Sequence, residues 1–191
     1  MLLHYKEIYK LVGILICLTT MSFGQNISCS EHTEYYDNGD IKFCRLVKED
    51  TLSGKILPKG TGVHFSKTGL MDWCFLPENM MIQGHFCGGG GHSFMTGFHP
   101  NGELKTAWLV KNEIIQEIPC SKFRFLSAIF HGFHGKSGAT TFHDNGQLKY
   151  CELSKSIKIQ GIQYNKGNAV RFDMEGTLIL SEKNEEQIEI Y

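Results

Sequence analysis

Apolar positions in this chain recur in a fixed frame around glycine. Gly39, Gly69, Gly102, Gly146 and Gly176 lie 30, 33, 44 and 30 residues apart, and an aromatic stands four residues before each: Tyr35, Phe65, Phe98, Phe142 and Phe172. Two residues after them stand Ile41, Met71, Leu104, Leu148 and Leu178. Seven past the first four glycines come Leu46, Leu76, Leu109 and Leu153, and thirteen past come Leu52, Ile82, Ile115 and Ile159; the fifth unit lacks these later positions. The segments 54–65 and 161–172 align without a gap. Self-similarity of this period marks a repeat array, in which each unit buries its apolar face against its neighbours.

The residues before the anchors are turn formers: Asp37-Asn38, Lys67-Thr68, Pro100-Asn101, Asp144-Asn145 and Met174-Glu175. A two-residue Asn-Gly turn would set the aromatic opposite Lys42, Asp72, Lys105 or Lys149, burying charge against a ring. A three-residue loop with a left-handed glycine instead pairs the aromatic with the Ile, Met or Leu two positions on. That register predicts an all-β fold of antiparallel β-hairpin repeats, stacked into an elongated twisted sheet or solenoid. It places Val63, Phe65, Met71 and Trp73 on one face, as it does Phe142, Leu148 and Tyr150. The slots five and seven after glycine, Cys44 and Leu46 in the first unit, fall on the opposite face by strand parity unless a bulge reverses the side chains.

Of 191 residues, 41% are hydrophobic and 20% charged, enough to bury a sizeable core in a single domain. With 21 glycines against 4 prolines and no collagen period, the glycines belong to turns. A formal charge of −1 gives no reason to seek nucleic acid or anionic lipid.

Lys6 and Lys10 precede an apolar run at 11–23 that ends on Ser22-Phe23-Gly24, the order of a secretory signal peptide. Residues 1–24 are therefore expected to be removed, leaving a repeat domain over 25–191 that begins at Gln25. The run is too short for a stable membrane span. The protein is expected to be exported, to the periplasm, the cell surface or the medium; acylation of Cys29 is an alternative.

The stretch Tyr35-Tyr-Asp-Asn-Gly39-Asp-Ile-Lys and its counterpart Phe142-His-Asp-Asn-Gly146-Gln-Leu-Lys resemble the variant MORN repeat, including the form in bacterial antitoxin-like proteins. The likeness spans the hairpin core of each unit, and the unit here is longer than the usual MORN period. The resemblance implies stacked hairpins serving as an interaction surface, with no catalytic residues to carry over.

Six cysteines lie beyond the signal: Cys29, Cys44, Cys74, Cys87, Cys120 and Cys151. Equivalent slots in successive hairpins lie about 9–10 Å apart, beyond disulfide reach, so Cys44, Cys74 and Cys151 should not bond one another. Any disulfide should join the two different slots, or Cys29 to one of them, with Cys74–Cys87 and Cys120–Cys151 the foremost pairs. The competing reading is that these are small buried apolar residues, as Ala107 in the same slot suggests.

His85, Cys87 and His92, and likewise His131 and His134, lack zinc-finger spacing, so no metal is expected. The run 88–91 lacks the lysine and hydroxyl residue of a phosphate loop, and no nucleophile-elbow motif occurs. His99 and His143 are expected as solvated strand positions. No catalytic residue or cofactor is assigned. The expected function is a non-enzymatic exported module for protein interaction or structure. Its alternatives are a hydrolase built on the inserted loops 85–97 and 120–138, with His131 or His134 as base, and a self-assembling surface protein with open sheet edges.

Overall fold

A computed structural model of the protein describes residues 27–90, 94–124 and 138–179. The segment expected as a signal, together with His92, His131 and His134, lies outside them. The fold is all-β, an array of antiparallel hairpins. Nine strands form one sheet in the order β1 (Glu34–Tyr35), β2 (Ile41–Arg45), β5 (Gly62–Phe65), β6 (Met71–Phe75), β9 (Met95–Phe98), β10 (Leu104–Ala107), β13 (Thr140–Phe142), β14 (Leu148–Glu152) and β17 (Ala169–Arg171). Each unit contributes a hairpin to this sheet, and the bridge Phe172↔Leu178 closes the fifth. Among the described residues no helix is long and apolar enough to cross a membrane.

Every anchor glycine adopts φ between +76° and +86°, in the left-handed region that favours glycine. In the first unit the Gly39 N–H donates to Tyr36 O and the Tyr36 N–H to Asp40 O, which encloses a three-residue loop; the other four turns repeat both bonds. Phe65 pairs with Met71, and the register then shifts so that His64 pairs with Trp73. Asp72 is the unpaired residue of a bulge, and Lys42, Lys105 and Lys149 occupy the same place in their units.

That bulge decides which way the side chains point. Met71, Cys74 and Leu76 are all buried, whereas Trp73 and Phe75 are only half-buried. Trp73 therefore leaves the face of Val63, Phe65 and Met71, contrary to the expectation from simple alternation, and Tyr150 does the same in the fourth unit. The extra residue restores parity for the later positions, so the slots two, five and seven after glycine share one core.

A second layer covers that core. Four short hairpins come after the first four sheet hairpins: β3 (Asp50–Leu52) with β4 (Lys55–Leu57), β7 (Met80–Ile82) with β8 (His85–Cys87), β11 (Glu113–Ile115) with β12 (Ile118–Cys120), and β15 (Ile157–Ile159) with β16 (Ile162–Tyr164). Their turns are Ser53-Gly54, Gln83-Gly84, Gln116-Glu117 and Gln160-Gly161, with positive φ at both residues, the type I′ geometry whose twist suits a two-residue hairpin. Leu52, Leu57, Ile82, Ile115 and Ile159 point inward and join the sheet residues in one contiguous cluster.

The layers are tied by side-chain amides. Gln116 Nε2 donates to Gly146 O at 3.1 Å, while the Leu148 N–H donates to Gln116 Oε1 at 2.9 Å. Gln83 holds Gly102 and Leu104 in the same way, and Gln160 holds Gly176 and Leu178. Each amide thus clamps the glycine turn of the next unit. Neighbouring units are also joined by His99 and His143, whose Nε2 atoms lie 3.0 and 2.8 Å from Phe142 O and Phe172 O. These histidines are half-buried ties between repeats and not the solvated positions expected from sequence, because the strand spacing brings each ring under its neighbour's carbonyl.

Two stability outcomes are expected from this layering. Gln116→Ala strands the buried Leu148 N–H without its acceptor and should destabilise the protein by about 1–3 kcal/mol, measured by denaturant unfolding. Thr96, fully buried in the sheet, has a hydroxyl with no hydrogen-bond partner, whereas Val63 and Val170 fill the equivalent slot in other units. Thr96→Val keeps the shape and removes the unmet donor, so the melting temperature should rise, by roughly 1–3 kcal/mol of stability.

Candidate functional site

The hairpin layer covers one face of the sheet, and the other face carries the side chains that the bulges turn outward. In the first two units these are aromatic. The His64 and Trp73 rings stack at 4.5 Å with 7° between their planes, Phe43 lies 5.8 Å from Trp73, and Phe75 meets it edge-on at 5.2 Å. Tyr36 approaches His64 edge-on at 6.5 Å and donates its hydroxyl to Phe65 O.

Next to His64, the strand between the rings carries a glycine, which leaves room for the Phe43 ring. A Cβ on Gly62 would meet the Phe43 ring at 2.9 Å, so glycine there lets the ring lie flat across the sheet. Gly97 pairs with Trp73 on the other side. Further along the face, Thr106 and Thr141 are small, and the last strands carry Tyr150 with Arg171 5.2 Å from its ring centre. Burial, then the Glu152 charge, raises the Tyr150 hydroxyl above the usual tyrosine range.

His64 Nδ1 lies 2.7 Å from Asp72 Oδ1. A carboxylate that orients an imidazole is one part of acid-base machinery, but around this ring the described partners are Tyr36 and the Trp73 face. The pair fixes the platform's edge. Among the described residues no group of three or more His, Cys, Asp or Glu side chains is placed to hold a metal. His85 lies 3.0 Å from Glu113 Oε2, and the Phe86 N–H donates to the same carboxylate, which links two hairpins of the covering layer.

The described ends of the two inserted loops meet each other. Phe94 and Phe123 approach edge-on at 5.4 Å, and both pack on Trp108, at 6.1 and 4.8 Å. The aromatic junction joins the described ends of the two insertions; the hydrolase alternative rests on His131 and His134, which lie outside the described residues.

Cys29 is bonded to Cys44, with Cα atoms 5.5 Å apart, and Cys74, Cys87, Cys120 and Cys151 are buried free thiols. The bond uses the Cys29 sulfur that an acyl anchor would need. Cys74 and Cys87, expected as partners, are not bonded to each other; Cys87 forms its bridge with Leu109, at the end of β10. Burial pushes both thiols up to about 12.

A cleft of about 310 Å³ separates the last two covering hairpins, over Leu148 and Phe172. Its walls are the clamping amides Gln116 and Gln160, already bonded to backbone. It is a seam between repeats.

The platform was not named from the sequence. Its signal was Phe43, Trp73 and Tyr150 recurring four residues after glycine, of which simple alternation put Trp73 and Tyr150 on the face of the core residues. Comparison with known proteins finds no family profile, no curated sequence and no solved structure that matches this chain.

Proposed function

We propose that this is an exported, non-enzymatic repeat protein that binds a protein partner across the face of its nine-stranded sheet opposite the short hairpins. The observation that carries the reading is the half-buried aromatic row of Phe43, His64, Trp73 and Phe75, continued by the 41% exposed Met95. Aromatic residues, methionine and arginine are the side chains that protein interfaces concentrate, and the aromatic ones remove large area from water at low entropic cost. The near-balanced charge argues against a polyanionic ligand. The MORN-like hairpin core points the same way, since stacked hairpins of that type present a surface and not a cleft.

A capture experiment maps the face. The wild-type chain, a Trp73→Ala/Phe75→Ala variant and a Met81→Ala/Ile114→Ala variant are immobilised after circular dichroism confirms that each is folded. Each is exposed to the exported proteins of the native host. Met81 and Ile114 lie on the outer side of the covering layer, 52% and 72% exposed, and serve as the control surface. The expected outcome is at least one protein whose recovery falls about tenfold or more with the sheet-face variant, the size of a hot-spot loss, and is unchanged with the other. Recovery unaffected by the sheet-face variant, or lost with the control variant, would contradict the proposal.

A further inference from the structure

The Cys29–Cys44 bond occupies a site that the repeat builds more than once. Cys29 forms a bridge with Leu46, flanked by the Ser30 N–H to Arg45 O and the Val47 N–H to Ser28 O, at 2.9 and 3.0 Å; Cys44 stands two residues before Leu46. In the fourth unit Cys120 forms a bridge with Leu153, flanked by the Ser121 N–H to Glu152 O and the Ser154 N–H to Pro119 O, both at 2.7 Å; Cys151 stands two residues before Leu153. Bridge, flanking bonds and spacing coincide. The third unit has the same frame, Cys87 with Leu109, but the position facing the cysteine is Ala107. In the second unit the place equivalent to Cys120 is Leu57, which leaves Cys74 alone. Pro58 and Pro77 stand where the other units donate the two flanking N–H groups, and proline has none to give.

From this equivalence we infer that Cys120 and Cys151 form a second disulfide, the fourth-unit counterpart of Cys29–Cys44. Matching backbone frames place the two Cα atoms as in the first unit, where their 5.5 Å separation lies within the range a disulfide spans. Both side chains are fully buried in the same core. They already touch: Cys120 is held above the usual thiol range first by its hydrogen bond with Cys151 and then by burial. The bond would pin the start of the insertion at 120–138 to β14.

The chemistry is thiol–disulfide exchange with a donor disulfide, such as oxidised glutathione or an oxidised thiol oxidoreductase. The thiolate of Cys120 attacks one donor sulfur and releases the first donor thiol. The thiolate of Cys151 then attacks the Cys120 sulfur of the mixed disulfide and releases the second. The two cysteine protons end on the two donor thiols, and the pair is oxidised by two electrons while the donor is reduced by two. Because both sulfurs are fully buried once folded, exchange belongs to folding, before the core closes.

In the cell the oxidant depends on the export proposed above. The geometry is therefore tested without it, by refolding the reduced, denatured full chain with oxidised and reduced glutathione. Free thiols are then alkylated in denaturant, and the unreduced digest is mapped by mass spectrometry. The expected result is Cys120 linked to Cys151 and Cys29 linked to Cys44, with Cys74 and Cys87 each recovered alkylated. Recovery of Cys120 and Cys151 as alkylated thiols, or of either joined to another cysteine, would overturn the inference. Ala107→Cys supplies an independent arm, since the same frame should then take Cys87 out of the alkylated pool. Cys87 still alkylated in that variant would refute the equivalence on which the inference stands. Failure of export would change neither outcome.

Discussion

Everything in this fold depends on one extra residue after each of the first four glycine turns. A strand that simply alternated would send Met71 and Trp73 to the same side and Cys74 and Leu76 to the other, and the sheet would need covering on both faces. The three-residue turn instead starts a bulge at Asp72 and its equivalents, which places a charged residue where it need not be buried and resets the parity of the rest of the strand. One face then collects the slots two, five and seven after glycine; the other collects the residues four and six after it. The covered core and the open aromatic face have the same cause.

The covering layer is what makes the array more than a sheet. A chain of sheet hairpins alone would expose its apolar face to water. Each of the first four units therefore devotes its second half to a short hairpin whose leucines and isoleucines close the core. The clamp by Gln83, Gln116 and Gln160 reaches forward to the turn of the next unit, so the turn that sets parity in one repeat is held by the amide of the repeat before it. Local geometry and long-range order are thereby coupled, as nearest-neighbour terms are in other repeat proteins. The second unit shows the tolerance of the scheme: Pro58 and Pro77 remove the flanking bonds there, and the core closes without them.

Much of this was legible in the sequence, and the limits are physical. The glycine frame, the aromatic slot and the pairing of Phe65 with Met71 come from hydrophobic spacing and turn chemistry, because a misregistered hairpin would oppose charge to a ring. The side of the sheet on which Trp73 and Tyr150 lie was not legible, since parity beyond a bulge depends on where the extra residue sits. The short hairpins were also missed. Gln-Gly and Gln-Glu are not the residue pairs that usually announce a type I′ turn, although the recurrence of Ile-Gln at 82–83, 115–116 and 159–160 was there to be read. His99 and His143 looked like surface residues because their partners, the carbonyls of Phe142 and Phe172, are a whole repeat away.

The parity reset is the claim on which core, platform and disulfide frame all stand, and thiol accessibility reads it directly. Native Cys74 and a cysteine introduced by Trp73→Cys are neighbours in sequence but sit on opposite faces, one fully buried and pushed up to about 12, the other beside solvent. In the folded protein a maleimide should modify the introduced thiol readily and leave Cys74 unmodified until the chain is denatured. Rapid modification of Cys74 with protection at position 73 would mean that the strand alternates without a bulge, and the account would be wrong at its root.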